Sequence, residues 1–276
     1  MSVMRLAIAV GAALSVVTPA SSQAPAQVQT PGVPFLDQMT WTEIRDAIGA
    51  GRKVVIIPVG GTEQNGPHMV LGKHNYIVTF AARVMAERLG NALVAPVIAF
   101  VPEGNYNSPR FGEKPGVISN PSPSYNLLLD AAVRSLRVHG FTDILLIGDS
   151  GGNQNGMRSV ADTLNKEWAG TGTRVYALTD YYQKGRTDLR AWLLSEFGYD
   201  DATVGSHAGI SDTSQLLYVF PAGIRRSKIK PGGGGPDSGV SGDPTKATPE
   251  IGRRAIDFKV DAGIAQYRTL KAGGPG

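Results

Sequence analysis

The feature that most constrains this chain is an unbroken apolar run that empties into a polar turn. Residues 53–58 read K-V-V-I-I-P, and residues 59–75 follow as V-G-G-T-E-Q-N-G-P-H-M-V-L-G-K-H-N. Continuous β-branched runs mark strands buried on both faces, the situation of a parallel sheet covered by helices. A helical pattern succeeds the turn from about Tyr76 to Leu89. The turn itself carries Glu63, Gln64, Asn65, His68 and His74, including two of the four histidines. In open α/β sheets, ligands bind outside the carboxyl ends of the strands. This turn is therefore the first candidate site.

The same arrangement recurs. Residues 142–147 (T-D-I-L-L-I) give another strand, which runs into Gly148-Asp149-Ser150-Gly151-Gly152-Asn153 and a helix expected over 156–168. Residues 92–99 and 174–178 supply two more strands. Thr40 can N-cap a helix, with Glu43 completing a capping box and Gly49 and Gly51 ending it. Further helices are expected from Ser124 to Gly140, over 188–197, and from 248 or 249 onward. Strands alternate with helices, so the expected fold class is α/β, a three-layer α/β/α arrangement with a mostly parallel sheet. The two loaded turns then share one sheet edge. Three other segments are polar or glycine-rich. Residues 100–123 form a long loop with Glu103, Tyr106 and Arg110, and ordered loops of this length are usually functional. Residues 205–214 carry His207 and Asp212 ahead of an apolar stretch at 216–220. Residues 231–249 read as flexible. His139, just before Gly140, reads as a helix-end residue rather than a site residue.

Composition narrows the chemistry. The chain has 276 residues, enough for one large α/β domain or two modest ones. Its formal charge is +4, with no block of five like charges, so neither a nucleic acid nor a membrane surface is an expected partner. The absence of cysteine excludes disulfides and thiolate ligands. Any metal must be held by histidine, carboxylate, Asn or water. Gly151-Gly152 lacks the lysine that a phosphate loop requires. At the start, Arg5, the apolar run 6–17 and small residues near Ser22-Gln23-Ala24 have the form of a secretory signal peptide over 1–24, too short to span a bilayer. A Pro/Gln/Ala-rich linker over 25–34 then leads into a domain over 35–276. The expected location is periplasmic or secreted.

Four segments together resemble the creatininase (creatinine amidohydrolase) family. They are Pro58-Val59-Gly60-Gly61-Thr62-Glu63-Gln64-Asn65-Gly66-Pro67-His68, Pro115-Gly116-Val117-Ile118-Ser119, His139-Gly140-Phe141 with 148–153, and His207-Ala208-Gly209 with Asp212-Thr213-Ser214. The resemblance covers about 35–268. It implies a three-layer α/β fold, homo-oligomers that are often hexamers, a divalent metal (commonly zinc, with a second metal), and hydrolysis of C–N bonds in cyclic or linear amides. Residue by residue, it implies that Glu63 is a ligand and that His74 stands at a ligand aspartate. Asp212 matches a glutamate that reaches the metal, and His207 matches a histidine credited with acid/base work. Asn65 and Ser150 stand where the family has ligand histidines. Asp149 stands one residue before the second of these, at a family glycine.

Amide hydrolysis needs an activated water, a polarised carbonyl and a proton donor for the leaving nitrogen. A metal supplies the first two. The expected ligands are Glu63, His74 and Asp212, with Asp149 either a fourth or a carboxylate holding a ligand from behind. His207 is the expected proton shuttle, and Glu63 also contacts the reacting centre. Asn65, His68, Ser150, Asn153 and Tyr106 are the expected substrate contacts. Oxygen and nitrogen ligands without sulfur suit zinc and also manganese. The expected partner is a small-molecule substrate. Two other readings stay open: a member that binds a ligand without metal or turnover, and a metal-free hydrolase with Ser150 as nucleophile and His207 as base.

Overall fold

Two six-residue strands at the centre set the rest of the architecture. β1 (Val54–Val59) and β3 (Asp143–Gly148) pair in parallel along their full length, from Val54 opposite Asp143 to Val59 opposite Gly148. β2 (Ala92–Val94) lies on the outer side of β1, and β4 (Arg174–Ala177) on the outer side of β3, giving an all-parallel order β2-β1-β3-β4. The computed structural model describes residues 35–108 and 113–273. The expected signal peptide and linker, and Arg110 of the long loop, lie outside those residues. Among the described residues no helix is long and apolar enough to cross a membrane.

The period-2 alternation of side chains along each strand divides the core. Val54 and Ile56 of β1, with Leu145 and Ile147 of β3, face a layer formed by α2 (Lys73–Leu89) and α8 (Pro249–Ala272). Val55, Ile57 and Val59, with Ile144 and Leu146, face α3 (Ser122–Val138) and α4 (Gln154–Glu167). The result is a three-layer α/β/α fold. Four further helices, α1 (Trp41–Gly49), α5 (Gln183–Phe197), α6 (Asp201–Val204) and α7 (Ile210–Val219), and the short turns between 221 and 246 flank these layers. The capping box expected at α1 is present, with Thr40 and Glu43 bonded reciprocally.

Several boundaries differ from the sequence expectations, each for a local reason. β2 stops at Val94 rather than 99, because Pro96 has no N–H to give the ladder. The chain rejoins β1 at one bridge, Ile98 opposite Val59. α2 begins at Lys73 rather than Tyr76, since the Gly72 carbonyl already accepts from the Asn75 and Tyr76 amides. α3 starts at Ser122, with Pro123 in its first turn, where its fixed φ suits a helix. The apolar stretch at 216–220 lies on α7, and the segment 231–249 is built of short 3-10 turns.

From β1 the chain moves outward to β2, then returns to the opposite side of β1 as β3. The connections leaving β1 and β3 therefore diverge at the sheet's carboxyl edge. That is a topological switch point, the place where open α/β sheets form clefts.

Candidate active site

The turn after β1 is braced by its own asparagine. Asn65 is fully buried, and its Nδ2 donates to the carbonyls of Glu63 (2.9 Å) and Val70 (3.1 Å). The Glu63 amide donates back to the Leu71 carbonyl at 3.1 Å. The turn is thus a closed loop, and the Glu63 side chain is the part left pointing across the switch point. The long loop is pinned to the same turn by a bridge between Thr62 and Ile118. Gly60 and Gly61 allow the close approach. A Cβ on Gly61 would lie 1.9 Å from Glu103 Oε1, and one on Gly60 would lie 2.0 Å from Asn75 Oδ1.

A network of alternating charge spans β1, β3 and three helices. His74, on the first turn of α2, places Nε2 2.7 Å from Glu63 Oε1 and Nδ1 2.7 Å from Asp149 Oδ2. Asp149 closes β3, its amide bonded to the Val59 carbonyl. Its other oxygen accepts from Lys259 of α8 at 2.6 Å and from the Tyr181 hydroxyl at 3.1 Å. Lys73, only 1% exposed, lies 2.6 Å from Asp212 Oδ2 and 3.3 Å from Glu63 Oε1. Asp212 also accepts the Ala208 amide at 2.8 Å.

These contacts decide which groups carry charge. Burial opposes ionisation of Glu63, but the His74 hydrogen bond and the Lys73 charge outweigh it and hold the carboxyl at about 2. Burial and Lys73 both act against a charged His74, and its bonds to Asp149 and Glu63 overcome them, lifting the imidazole to about 9. Against the same burial penalty, Lys259 and His74 lower Asp149, and Lys73 lowers Asp212. Glu103 goes the other way. Burial, then the Glu63 charge, push it up to about 7. Its Oε2 accepts the Ser150 hydroxyl at 3.3 Å, while Oε1 is buried with no hydrogen-bond partner among the described residues.

The expected site residues fall into two groups. Glu63, His74, Asp149, Ser150, His207 and Asp212 line one cavity of about 520 Å³ above the switch point. Asn65, His68 and Asn153 are buried braces outside its lining. His68 Nε2 donates to the Thr213 hydroxyl (2.9 Å), which donates to the Ala208 carbonyl (3.1 Å). Asn153 accepts the Ser150 amide and donates to the Gly60 carbonyl. Tyr106 is half exposed on the long loop and also lies outside the lining. The Ser150 hydroxyl donates to Glu103 and the His207 ring is engaged by Gln64, so the Ser150–His207 pair is not assembled.

His207 is aimed by a strained turn. Ala208 (φ 54°) is the one non-glycine with positive φ among the described residues, and such strain is retained where surrounding bonds enforce it. His207 Nε2 is held 2.9 Å from the Gln64 carbonyl, and Nδ1 faces Glu63 Oε1 at 3.8 Å.

The donors that converge on one point are Glu63, His74 and Glu103, whose ligand atoms lie within 4.8 Å of one another. Glu103 was visible in the sequence only as an acid in a suspiciously long loop. Lys73 and Lys259 went unnoticed, although Lys259 falls on the apolar stripe of α8 between Ile256 and Val260.

Known proteins resemble this chain in sequence and in fold. The family model described as creatinine amidohydrolase matches residues 37–266. A mycofactocin precursor peptide peptidase from Mycobacterium tuberculosis (strain ATCC 25618 / H37Rv) is 28% identical over 233 residues, covering 75% of this chain and 81% of that one. Creatinine amidohydrolase from Pseudomonas putida is 25% identical over 201 residues, covering 68% and 72%. Among solved structures, one described as "Creatininase Mn" superposes with a TM-score of 0.68 at 22% identity, over 88% of this chain and all of that one. A creatininase mutant described as Zn-Zn type gives 0.66 at 22%, over 88% and 98%.

Proposed function

The chain belongs to the creatininase family, and on that premise we propose that it is a metal-dependent hydrolase of a C–N bond, in an amide, lactam or cyclic amide, of a small molecule bound in the cavity above Glu63. One observation carries this reading. Glu63 and Glu103 turn two half-buried carboxylates toward each other beside the buried His74, and Glu103 Oε1 has no partner there. Two facing carboxylates and an imidazole are a donor set for one divalent ion, with room for an open position.

The fit is supported from behind the imidazole. With Nδ1–H donated to Asp149, His74 is oriented so that Nε2 faces the two glutamates. Asp149 thus acts by holding His74, and Asp212 by holding Lys73, instead of serving as ligands. Oxygen and nitrogen donors without sulfur accommodate zinc or manganese. When bound, such an ion polarises a carbonyl and makes a water acidic enough to act as nucleophile.

The chain's own groups supply the proton chemistry. With Nε2–H donated to the Gln64 carbonyl, His207 keeps Nδ1 free toward Glu63 and the cavity. That nitrogen can take a proton on the attacking side and return it to the leaving nitrogen. The buried cations Lys73 and Lys259 keep Glu63, Asp149 and Asp212 ionised throughout, so the floor of the site needs little reorganisation.

The test is hydrolysis of a panel of linear and cyclic amides, followed by release of amine. Activity should vanish on chelation and return with zinc or manganese. Turnover that survives complete metal removal overturns the proposal. A second reading, ligand binding without turnover, is favoured by the engagement of both His74 nitrogens with carboxylates. Protein that retains no metal after dialysis against zinc and manganese would support it. We further propose export through the signal segment and a homo-oligomeric assembly. Proteomic detection of a mature N-terminus near Ala24, and light scattering, test these two points.

A further inference from the structure

We propose that the Lys73 ammonium occupies the position of a second cation in this site, so that the site takes one divalent ion and excludes another. The inference rests on the reading of Glu63, His74 and Glu103 as a metal-holding set, and adds to it the number of ions and the residue that fixes that number.

Geometry is the first support. Lys73 is 1% exposed, and its Nζ lies between two carboxylates, 2.6 Å from Asp212 Oδ2 and 3.3 Å from Glu63 Oε1. Bridging two acids across a pocket floor is what a metal ion does. Glu63 Oε1 is thereby shared between the Lys73 side and the His74 side, at 3.3 and 2.7 Å. An ion placed between Glu63 and Asp212 would have to displace the ammonium. Lys73 is anchored in the first turn of α2, with its ammonium paired to Asp212 of α7 at the cavity floor.

Charge balance is the second support. Glu63, Glu103, Asp149 and Asp212 bring four carboxylates to the network, and Lys73 and Lys259 bring two ammonium groups. With His74 neutral as a ligand, two negative charges remain. One divalent ion neutralises them. A second would leave the floor with two positive charges in excess, and uncompensated charge in a buried site is costly. Asp149 offers no alternative seat, since its oxygens are taken by His74, Lys259 and Tyr181.

The experiment counts metal. Full-length protein is stripped with chelator, reloaded with excess manganese or zinc, desalted, and assayed by elemental analysis against protein concentration. Wild type should hold one ion per chain. Lys73→Ala and Lys73→Gln, the second keeping a neutral hydrogen-bond donor on a slightly shorter side chain, should each hold two, with circular dichroism verifying the fold. Methylammonium added to Lys73→Ala should drive the count back toward one. Two ions in wild type overturn the inference and leave the metal-dependent reading standing. One ion in both wild type and the folded variants removes Lys73 from the role. Zero in wild type defeats the metal-dependent reading itself and this inference with it. If both neutral variants fold only in the presence of the metal, two ions per refolded chain support the inference and one overturns it.

Discussion

Glu103 Oε1 occupies the space that a Cβ on Gly61 would fill, at a separation of 1.9 Å. The glycine-rich turn after β1 and the long loop after β2 therefore meet at a contact that only glycine permits. The backbone of Gly61 is not in the left-handed region, so alanine is conformationally acceptable there. Gly61→Ala should fold normally and push the Glu103 carboxylate away from Glu63 and His74. Loss of support around a ligand typically costs about 10–100-fold in metal affinity. Competition with a fluorescent chelator measures this. Unchanged affinity in a folded Gly61→Ala protein would show that Glu103 does not hold the ion.

The buried Lys259–Asp149 pair predicts an asymmetric stability response. Both groups are almost fully enclosed and lie 2.6 Å apart. Lys259→Met leaves a buried carboxylate with one cation fewer, a change that costs about 3–5 kcal/mol in comparable pairs. Adding Asp149→Asn removes the stranded charge, so the double variant should regain much of the loss. Urea unfolding of the four proteins in the cycle gives the coupling. Additive losses would mean that the pair is not electrostatically linked.

The fold was more legible in the sequence than the site, and the residues show why. V-V-I-I and I-L-L-I announce strands buried on both faces, because no polar side chain interrupts them. Glu63 and His74 stood out because acids and histidines in a turn after such a strand have few structural duties. Glu103 did not, since its role depends on a fold-back of the long loop onto Thr62, which local pattern does not encode. Asp149 is expected as a ligand or as a carboxylate holding one from behind, and Asp212 as a ligand, because a carboxylate near a site has the same appearance in sequence whether it meets a metal or a lysine. Their lysine partners lie 110 and 139 residues away in sequence. Lys73 was the hardest to anticipate. A cation in the first turn of a helix is opposed by the helix dipole, and only the two acids around it make the position tolerable.

His207 should affect turnover and not metal content. Its ring reaches Glu63 no closer than 3.8 Å and is held by Gln64. His207→Gln removes the ring and its free Nδ1 and keeps an amide that reaches the Nε2 position beside Gln64. On the substrate that the amide panel identifies, kcat should fall about 10²–10⁴-fold, the usual worth of a positioned proton-transfer group. Elemental analysis should give the wild-type metal count. A variant that keeps full kcat assigns the proton transfer to another group, and one that loses its metal makes His207 a ligand.

Chelated protein should show a pH dependence that its metal-loaded form lacks. His74 rises from the ordinary histidine value of 6.5 to about 9 in the fold. Its contribution is complete below 6.5 and is lost as pH rises through about 9. Glu103, raised from 4.5 to about 7, acts in the same direction in a lower window, its contribution complete below 4.5 and lost as pH rises through about 7. Glu63, lowered from 4.5 to about 2, acts oppositely: its contribution is complete above 4.5 and lost as pH falls through about 2. These three windows place the stability maximum of the chelated protein well on the acid side of neutrality, at about pH 4.5. At ~1.4 kcal/mol per unit, the His74 window alone weakens the fold by about 3 kcal/mol between pH 6.5 and 9. A bound divalent ion takes over the compensation of Glu63 and Glu103 and should flatten that alkaline decline. Thermal melts of chelated and reloaded protein from pH 4 to 9 test this, and parallel curves for the two forms would place the ion away from Glu63, His74 and Glu103.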